Sequence, residues 1–203
     1  MTDPLLKYRE QHKHRLNYMP WLYWSLKPKH REWAEQWQAE YQAYLLEMET
    51  VEIGENCFIS PLAHIFAERG RKISIGDNTF IAADCTLHGP LQIGNEVAIN
   101  HHCILDGGRA GIKLHDQVRI AAYSHLYAFD HGMDLERPIY QQAVTSKGIE
   151  IGQDVWLGAH VGIKDGVKIG DHAVIGMNSM VTKDIEKHAI VAGNPARLIR
   201  YRK

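Results

Sequence analysis

The sequence predicts an all-β solenoid, a parallel β-helix of three-sided coils preceded by a helical segment and broken once by a long loop. Three observations lead there. First, an aliphatic residue recurs every sixth position between about residues 51 and 196. The run reads IGDNTF, IAADCT, LHGPLQ, IGNEVA, INHHCI from Ile75 to Ile104, and IGQDVW, LGAHVG, IKDGVK, IGDHAV, IGMNSM, VTKDIE from Ile151 to Glu186. Second, a period of six fits neither the 3.6 of a helix face nor the 2 of a flat strand, but does fit one short strand plus one turn. Third, Ile75 to Ile93 and Ile151 to Ile169 are both eighteen residues apart, so three units close a coil.

The elements follow in order. Residues 1–50 lack the beat and are punctuated by Pro4, Pro20 and Pro28. From Lys29 to Met48 the pattern is helical, with Trp33, Trp37, Tyr41, Tyr44, Leu45 and Met48 near one face. These helices, with the cluster Tyr18, Trp21, Tyr23 and Trp24, are expected to cap the open end of the solenoid or to offer an aromatic wall to an acceptor or neighbouring subunit.

Residues 51–196 form the β-helix, whose coils stack at about 4.8 Å. Its inner columns are Ile75, Ile93, Ile151 and Ile169; Ile81, Ile99, Leu157 and Ile175; and Leu87, Leu105, Ile163 and Val181. Thr79, Cys85, Val97, Cys103 and Ala173 take the compact inward position two before the next aliphatic. Cys57 shares that position, so all three cysteines read as small core residues. Gly, Asn and Asp at the turns are expected to supply the positive φ that corners need.

The beat slips at three places. Ile53 to Ile75 is twenty-two residues, Ile93 to Leu114 twenty-one, and Leu114 to Ile151 thirty-seven. The last slip is a loop insertion over about 127–147 that must leave the solenoid, and long loops on rigid scaffolds are where chemistry concentrates. It holds His131, with His125 just before it; imidazole suits proton removal near neutral pH. Residues 197–203 form a basic C-terminal tail.

Composition narrows the classes. The chain has 203 residues, 45% of them hydrophobic, and a net charge of −1, which fits one globular chain and argues against bulk nucleic-acid binding. No apolar run approaches the roughly 20 residues of a membrane span. The start, MTDPLLKYREQHKHR, is too charged for a signal peptide, so a cytoplasmic protein is expected.

Taken together, the hexads, the loop with DHGMD, the stretch GIEIGQDVWLGAHVGIKDGVKIGDHAVIGMNSMVTKDI and the ending VAGNPARLIR resemble the galactoside/maltose O-acetyltransferase group of the hexapeptide-repeat acyltransferases. The resemblance implies a left-handed β-helix, acetyl-CoA as co-substrate without a metal, and a homotrimer with active sites between subunits. It implies O-acetylation of a saccharide or related small acceptor by direct transfer. The loop histidine, the general base of that family, matches His131, twenty-one residues before Gly152; His125 is the alternative. The backbone N–H of Ala159 matches the oxyanion donor. Trp156, Met177, Thr182, Lys183, Arg197 and Arg200 match positions that contact CoA. Asn100 matches an acceptor contact, flanked by His101 and His102; Asp106 is a further acceptor candidate, and Asp130 a candidate to orient His131. Two other readings stay open: a γ-class carbonic anhydrase-like metal site drawing on His125, His131 and one of His88, His101 or His102, and a non-catalytic β-helix scaffold.

Overall fold

The computed structural model describes residues 4–203. Residues 1–3 of the segment expected over 1–50 lie outside the described residues. Two helices, α1 (Pro4–Tyr18) and α2 (Pro28–Met48), are joined by a short 3-10 turn, Pro20–Leu22, and the first strand starts at Val51. Pro28 opens α2, where its missing N–H would have had no helical partner.

The β-helix has three parallel faces. Sheet 1 stacks Val51–Ile53, Ile73–Ile75, Leu91–Ile93, Ile112–Leu114, Ile149–Ile151 and Lys168–Ile169. Sheet 2 runs from Phe58–Ile59 through Phe80–Ile81, Ala98–Ile99, Arg119–Ile120, Trp156–Leu157 and Val174–Ile175 to Ala189–Ala192. Sheet 3 stacks His64–Phe66, Thr86–His88, Ile104–Asp106, His125–Tyr127, Gly162–Ile163 and Met180–Val181. The expected columns meet in register: Ile75, Ile93, Leu114, Ile151 and Ile169 on sheet 1; Ile81, Ile99, Ile120, Leu157 and Ile175 on sheet 2; Leu87, Leu105, Leu126, Ile163 and Val181 on sheet 3. Ile53 pairs with Ile75 and Leu114 with Ile151, so the extra residues at each slip bulge out without shifting the core. Cys57, Cys85 and Cys103 are buried, unpaired thiols in that core. The neighbouring Cys103 thiol and then burial hold the Cys85 thiol far above its ordinary range.

The corners need a correction. The glycines that follow the sheet 1 and sheet 2 aliphatics do not adopt positive φ; they are small because the next coil lies against them. A Cβ on Gly76 would stand 2.6 Å from the Gly94 carbonyl carbon, and one on Gly158 would stand 2.7 Å from the Met177 nitrogen. The left-handed residues come two positions later. At the first corner, between sheets 1 and 2, they are Asn56, Asn78, Glu96, Gln117, Asp154, His172 and His188. At the second corner, between sheets 2 and 3, they are Asp84, His102, Tyr123, His160 and Asn178. Glycine supplies positive φ at the third corner, between sheets 3 and 1, as at Gly148 (φ 90°) and Gly166 (φ 83°), and again at Gly193 after the last sheet 2 strand of the coils.

The helical segment packs both on the end and along the side of the solenoid. Leu45 and Tyr41 sit on the end of the inner core. Leu16, Tyr23, Trp33 and Ala34 cover the outer face of sheet 2 at Phe58, Phe80 and Ala98, forming a second apolar cluster. The buried Gln38 amide lies beside the first sheet 2 strand: its Oε1 accepts from Ile59 N–H at 2.8 Å, and its Nε2 donates to Ile59 C=O at 3.1 Å. The expected α2 stripe is narrower than its periodicity suggests. Tyr44 and Met48 are 54% and 61% exposed because the first coil ends beneath Tyr41 and Leu45.

The loop leaves sheet 3 after Tyr127. It forms an antiparallel pair, Asp130–His131 with Val144–Thr145, and rejoins at Ile149. Within the segment read as a basic tail, Arg197–Tyr201 is a strand, pairing antiparallel with Ala189–Ala192.

Candidate active site

Three groups of predicted residues can be followed from their strands outward. The first lies on the second corner. Gly158 N–H bonds to Ile175 C=O and His160 N–H to Ala122 C=O, yet Ala159 N–H between them makes no hydrogen bond among the described residues. Met177 N–H, one coil on, is equally unpaired among them, and the Met177 side chain is exposed. Trp156 points outward from sheet 2 between Arg119 and Val174 and is 54% exposed. Asn100 lies on the same corner two coils back. It is half-buried, its Nδ2 donates to Ile120 C=O at 2.9 Å, and it lines a cleft of about 530 Å³ with Trp21, Trp24, Phe80 and Arg119.

The second group lies at the far end of the solenoid. Thr182, Lys183 and Arg197 line one cleft of about 410 Å³, with Ala196, Leu198 and Tyr201. Tyr201 closes one side by donating its hydroxyl hydrogen to Glu186 at 2.6 Å. Arg200 is exposed on the same strand but does not line that cleft.

The third group lies at the third corner. His131 stands exposed on the loop hairpin, with an edge contact to Phe129 at 6.2 Å and no hydrogen bond or ion pair among the described residues. Asp130 does not orient it; its carboxylate pairs with Lys164 at 3.1 Å, because the hairpin turns successive side chains to opposite faces. Asp106 is also engaged, meeting His88 Nδ1 at 3.3 Å and accepting from Gly108 N–H at 3.0 Å. His125 points outward from sheet 3 between Ile104 and Gly162.

One chain therefore does not bring the site together. Ala159 and Asn100 are on the second corner, whereas His131 and Asp106 are on the third, with sheet 3 between them. Lys164, which anchors the loop beside His131, is five positions after Ala159; at about 3.3 Å per residue that is up to roughly 16 Å. The histidines considered as metal ligands are likewise dispersed. Among the described residues no group of three or more His, Cys, Asp or Glu could hold a metal ion.

The structure adds Asp84, Tyr123 and His160, which the sequence left unassigned, to His102 and Tyr18. On the second corner, His102 stacks on Tyr123 at 4.7 Å, and Tyr123 stacks on His160 at 4.9 Å with ring planes 4° apart. Tyr18 from α1 joins the row by donating its hydroxyl hydrogen to Asp84 at 2.8 Å. That bond to Asp84 is the main reason its phenol pKa is raised, ahead of burial. The available signal was positional: Asp84, His102, Tyr123 and His160 each stand three after an inner aliphatic.

The three-sided coils of six-residue units are the architecture of a hexapeptide-repeat protein. Comparison with known proteins agrees. Residues 148–183 match the family model "Bacterial transferase hexapeptide (six repeats)". The chain is 31% identical to the galactoside O-acetyltransferase of Escherichia coli over 165 residues, covering 80% of this chain and 70% of that protein. It superposes on a mutant of AntD, an N-acyltransferase from Bacillus cereus in complex with dTDP-4-amino-4,6-dideoxyglucose and coenzyme A, with a TM-score of 0.71, 31% identity and coverage of 80% and 89%. It also superposes on the hexapeptide-repeat acetyltransferase VCA0836 of Vibrio cholerae complexed with acetyl-CoA, with a TM-score of 0.58, 27% identity and coverage of 96% and 85%. The chain belongs to the hexapeptide-repeat acetyltransferase family.

Proposed function

We propose that this protein transfers an acetyl group from acetyl-CoA to a hydroxyl of a saccharide or related small acceptor, in a ternary complex and without an acyl-enzyme. The observation that carries the reading is the second corner, where the Ala159 and Met177 N–H groups have no partner among the described residues, on coils that also carry the exposed Trp156. Fixed, unpaired amide donors suit a carbonyl whose oxygen becomes negative during reaction.

In this reading Met177 N–H holds an amide of the pantetheine arm, Trp156 flanks that arm, and Thr182 and Lys183 carry it towards the adenosine end. Arg197 and Arg200 meet its phosphates, for which guanidinium has the matching geometry. His131 takes the proton from the acceptor hydroxyl, which attacks the thioester carbonyl. Ala159 N–H donates to the resulting oxyanion, and His131 returns its proton to the departing thiolate. Because His131 and Ala159 lie on different corners of one chain, the loop of one subunit serves the second corner of its neighbour. A closed ring of three such contacts, a homotrimer, gives every site the same composition.

An amine acceptor is the second reading, favoured by the superposition on AntD, an N-acyltransferase. The mechanism is unchanged, since His131 then removes the proton from nitrogen. The test is thiol release from acetyl-CoA against galactosides, amino sugars and chloramphenicol, for wild type and His131→Ala. Release with one acceptor, lost in the variant, is expected. Equal activity in the variant would remove His131 from the mechanism, and a wild type that binds no CoA would remove the transferase reading.

A further inference from the structure

The second corner holds a chain of polar contacts that the transfer mechanism above does not use. It runs from Tyr18 through Asp84 and His102 to His101. Tyr18 donates its hydroxyl hydrogen to Asp84 Oδ2 at 2.8 Å. The same Oδ2 faces His102 Nε2 at 3.4 Å, an ion-pair distance rather than a hydrogen bond. On the far side of that ring, His102 Nδ1 lies 2.9 Å from His101 Nδ1. His101 Nε2, at the end of the chain, makes no hydrogen bond among the described residues.

Proton placement follows from what each atom can do. A carboxylate only accepts, so the His102 nitrogen facing Asp84 carries the hydrogen. A neutral imidazole has one N–H, so His102 Nδ1 is then the acceptor and His101 Nδ1 must donate to it. His101 is left with its hydrogen on Nδ1 and a lone pair on Nε2. Its ring is held in place by edge contacts from Tyr18 at 5.9 Å and Tyr123 at 5.5 Å. Burial first, then the nearby His102, lowers the His101 pKa, with Asp84 acting the other way. On balance these forces favour the neutral His101 ring.

The position is relevant to the acceptor. His101 directly follows Asn100, and the row of rings from His102 through Tyr123 to His160 ends at the residue after Ala159. From Asn100 to Ala159 is two coils, about 10 Å. A small acceptor reaching the oxyanion donor lies along this edge.

We infer that Asp84 and His102 form a tautomer relay that fixes His101 Nε2 as a hydrogen-bond acceptor for a second hydroxyl or amine of the acceptor molecule, so that His101 is a specificity-determining contact. The inference rests on the acetyltransferase reading above and adds a residue, its protonation and the group it recognises: a donor on the acceptor other than the one acetylated. His101 is the contact residue here, and Asp84 and His102 are positioning residues.

Asp84→Asn tests the relay while keeping its shape. Asp84 sits at φ 58°, a conformation asparagine also tolerates. An amide that keeps its oxygen in that place leaves the tautomers as they were, whereas one that turns its NH2 there donates where the carboxylate accepted. His102 then carries its hydrogen on Nδ1, and His101 presents Nε2–H, which repels a donor instead of receiving it. The measurement is the imidazole ¹⁵N spectrum of wild type and Asp84→Asn at pH 8, combined with steady-state kinetics on isopropyl β-D-thiogalactoside, D-glucosamine and chloramphenicol. His101 should hold its hydrogen on Nδ1 in wild type and on Nε2 in Asp84→Asn. For whichever probe is acetylated, kcat/KM should fall roughly tenfold or more in Asp84→Asn and His101→Ala, with KM for acetyl-CoA within about twofold. His101→Gln, which can offer an amide oxygen, should recover part of the loss.

A wild-type His101 with hydrogen on Nε2 overturns the relay. Inverted tautomers with unchanged acceptor kinetics overturn the contact role. If wild type binds acetyl-CoA but acetylates none of the three, the acceptor class and the His101 contact both fall, and the spectrum still decides the relay. Loss of activity in His131→Ala alone, with His101→Ala fully active, separates failure of this inference from failure of the mechanism.

Discussion

The first and second corners of the solenoid meet the same backbone demand in opposite ways. Both place a left-handed residue in successive coils, and both fill it with side chains other than glycine. The first corner spends its polar groups on itself. Asp77, Asn95, Asp116 and Asp171 accept from the backbone N–H groups of Glu55, Asp77, Asn95 and Gln153 in the adjoining coil. Asn56 bonds to Asn78, Gln117 bonds to Glu96 and Gln153, and Asp154 gathers His172 and Arg202. The second corner leaves His101, Ala122, Ala159 and Met177 N–H unpaired among the described residues and lines them with rings. Identical geometry is thus structural on one edge and available to a ligand on the other.

The largest expected effect comes from the loop that, in the proposed mechanism, serves the second corner. His131→Ala should lower acetyl transfer by about 10²–10⁴-fold without moving the thermal midpoint, read by thiol release and calorimetry. Next come matched glycine substitutions. Gly158→Ala and Gly76→Ala each drive a Cβ into the following coil and should each cost about 1–3 kcal/mol of stability. Only Gly158→Ala should also weaken CoA binding in the folded protein, because it displaces Met177; equal CoA affinity in both would erase the distinction between the corners.

Ring removal sharpens the comparison further. Tyr123→Asn replaces an aromatic residue at φ 62° with one that tolerates that conformation, while removing two stacked contacts. Gains and losses of about 1 kcal/mol should nearly cancel in stability, whereas acceptor KM should rise. His172→Asn, the analogous change on the first corner, should leave KM where it was. The smallest effect concerns acid stability. The His172 hydrogen bond, followed by Arg202, holds the Asp154 carboxyl below its usual range. A folded pKa below the unfolded one adds stability that is present above the unfolded value and lost as pH falls through the folded one. Asp154→Asn should therefore flatten the acid limb of the melting profile below the ordinary carboxylate range and leave turnover at neutral pH intact.

The two corners also differ in how readable they were. The inner columns were legible because one aliphatic per six residues has to fill the same slot in every coil, and even the slips at Ile53, Ile93 and Leu114 could be counted. The loop and His131 stood out as the one long break. The row from Asp84 to His160 stayed hidden for two reasons. Its members share a position but no chemistry, and the same slips that were easy to count spread them eighteen, twenty-one and thirty-seven residues apart. The glycines were legible as residues but not by cause, since neighbour contact and positive φ leave the same letter in a sequence. The strand Arg197–Tyr201 lies past the last hexad, and only its fold back onto Ala189–Ala192 reveals it.

A stack of identical coils has no built-in length. Each terminal strand of such a stack is a template on which another chain can assemble. Here the first strand of sheet 2 already has a false neighbour, because the Gln38 amide fills both a donor and an acceptor place that a further coil would take. At the other end the strand Arg197–Tyr201 runs backwards, so a parallel coil cannot continue from it in register. Replacing Gln38 with leucine would expose that template. The consequence to look for is not a less active enzyme but pairs of molecules joined through their first sheet 2 strands, since the backward strand still closes the other end.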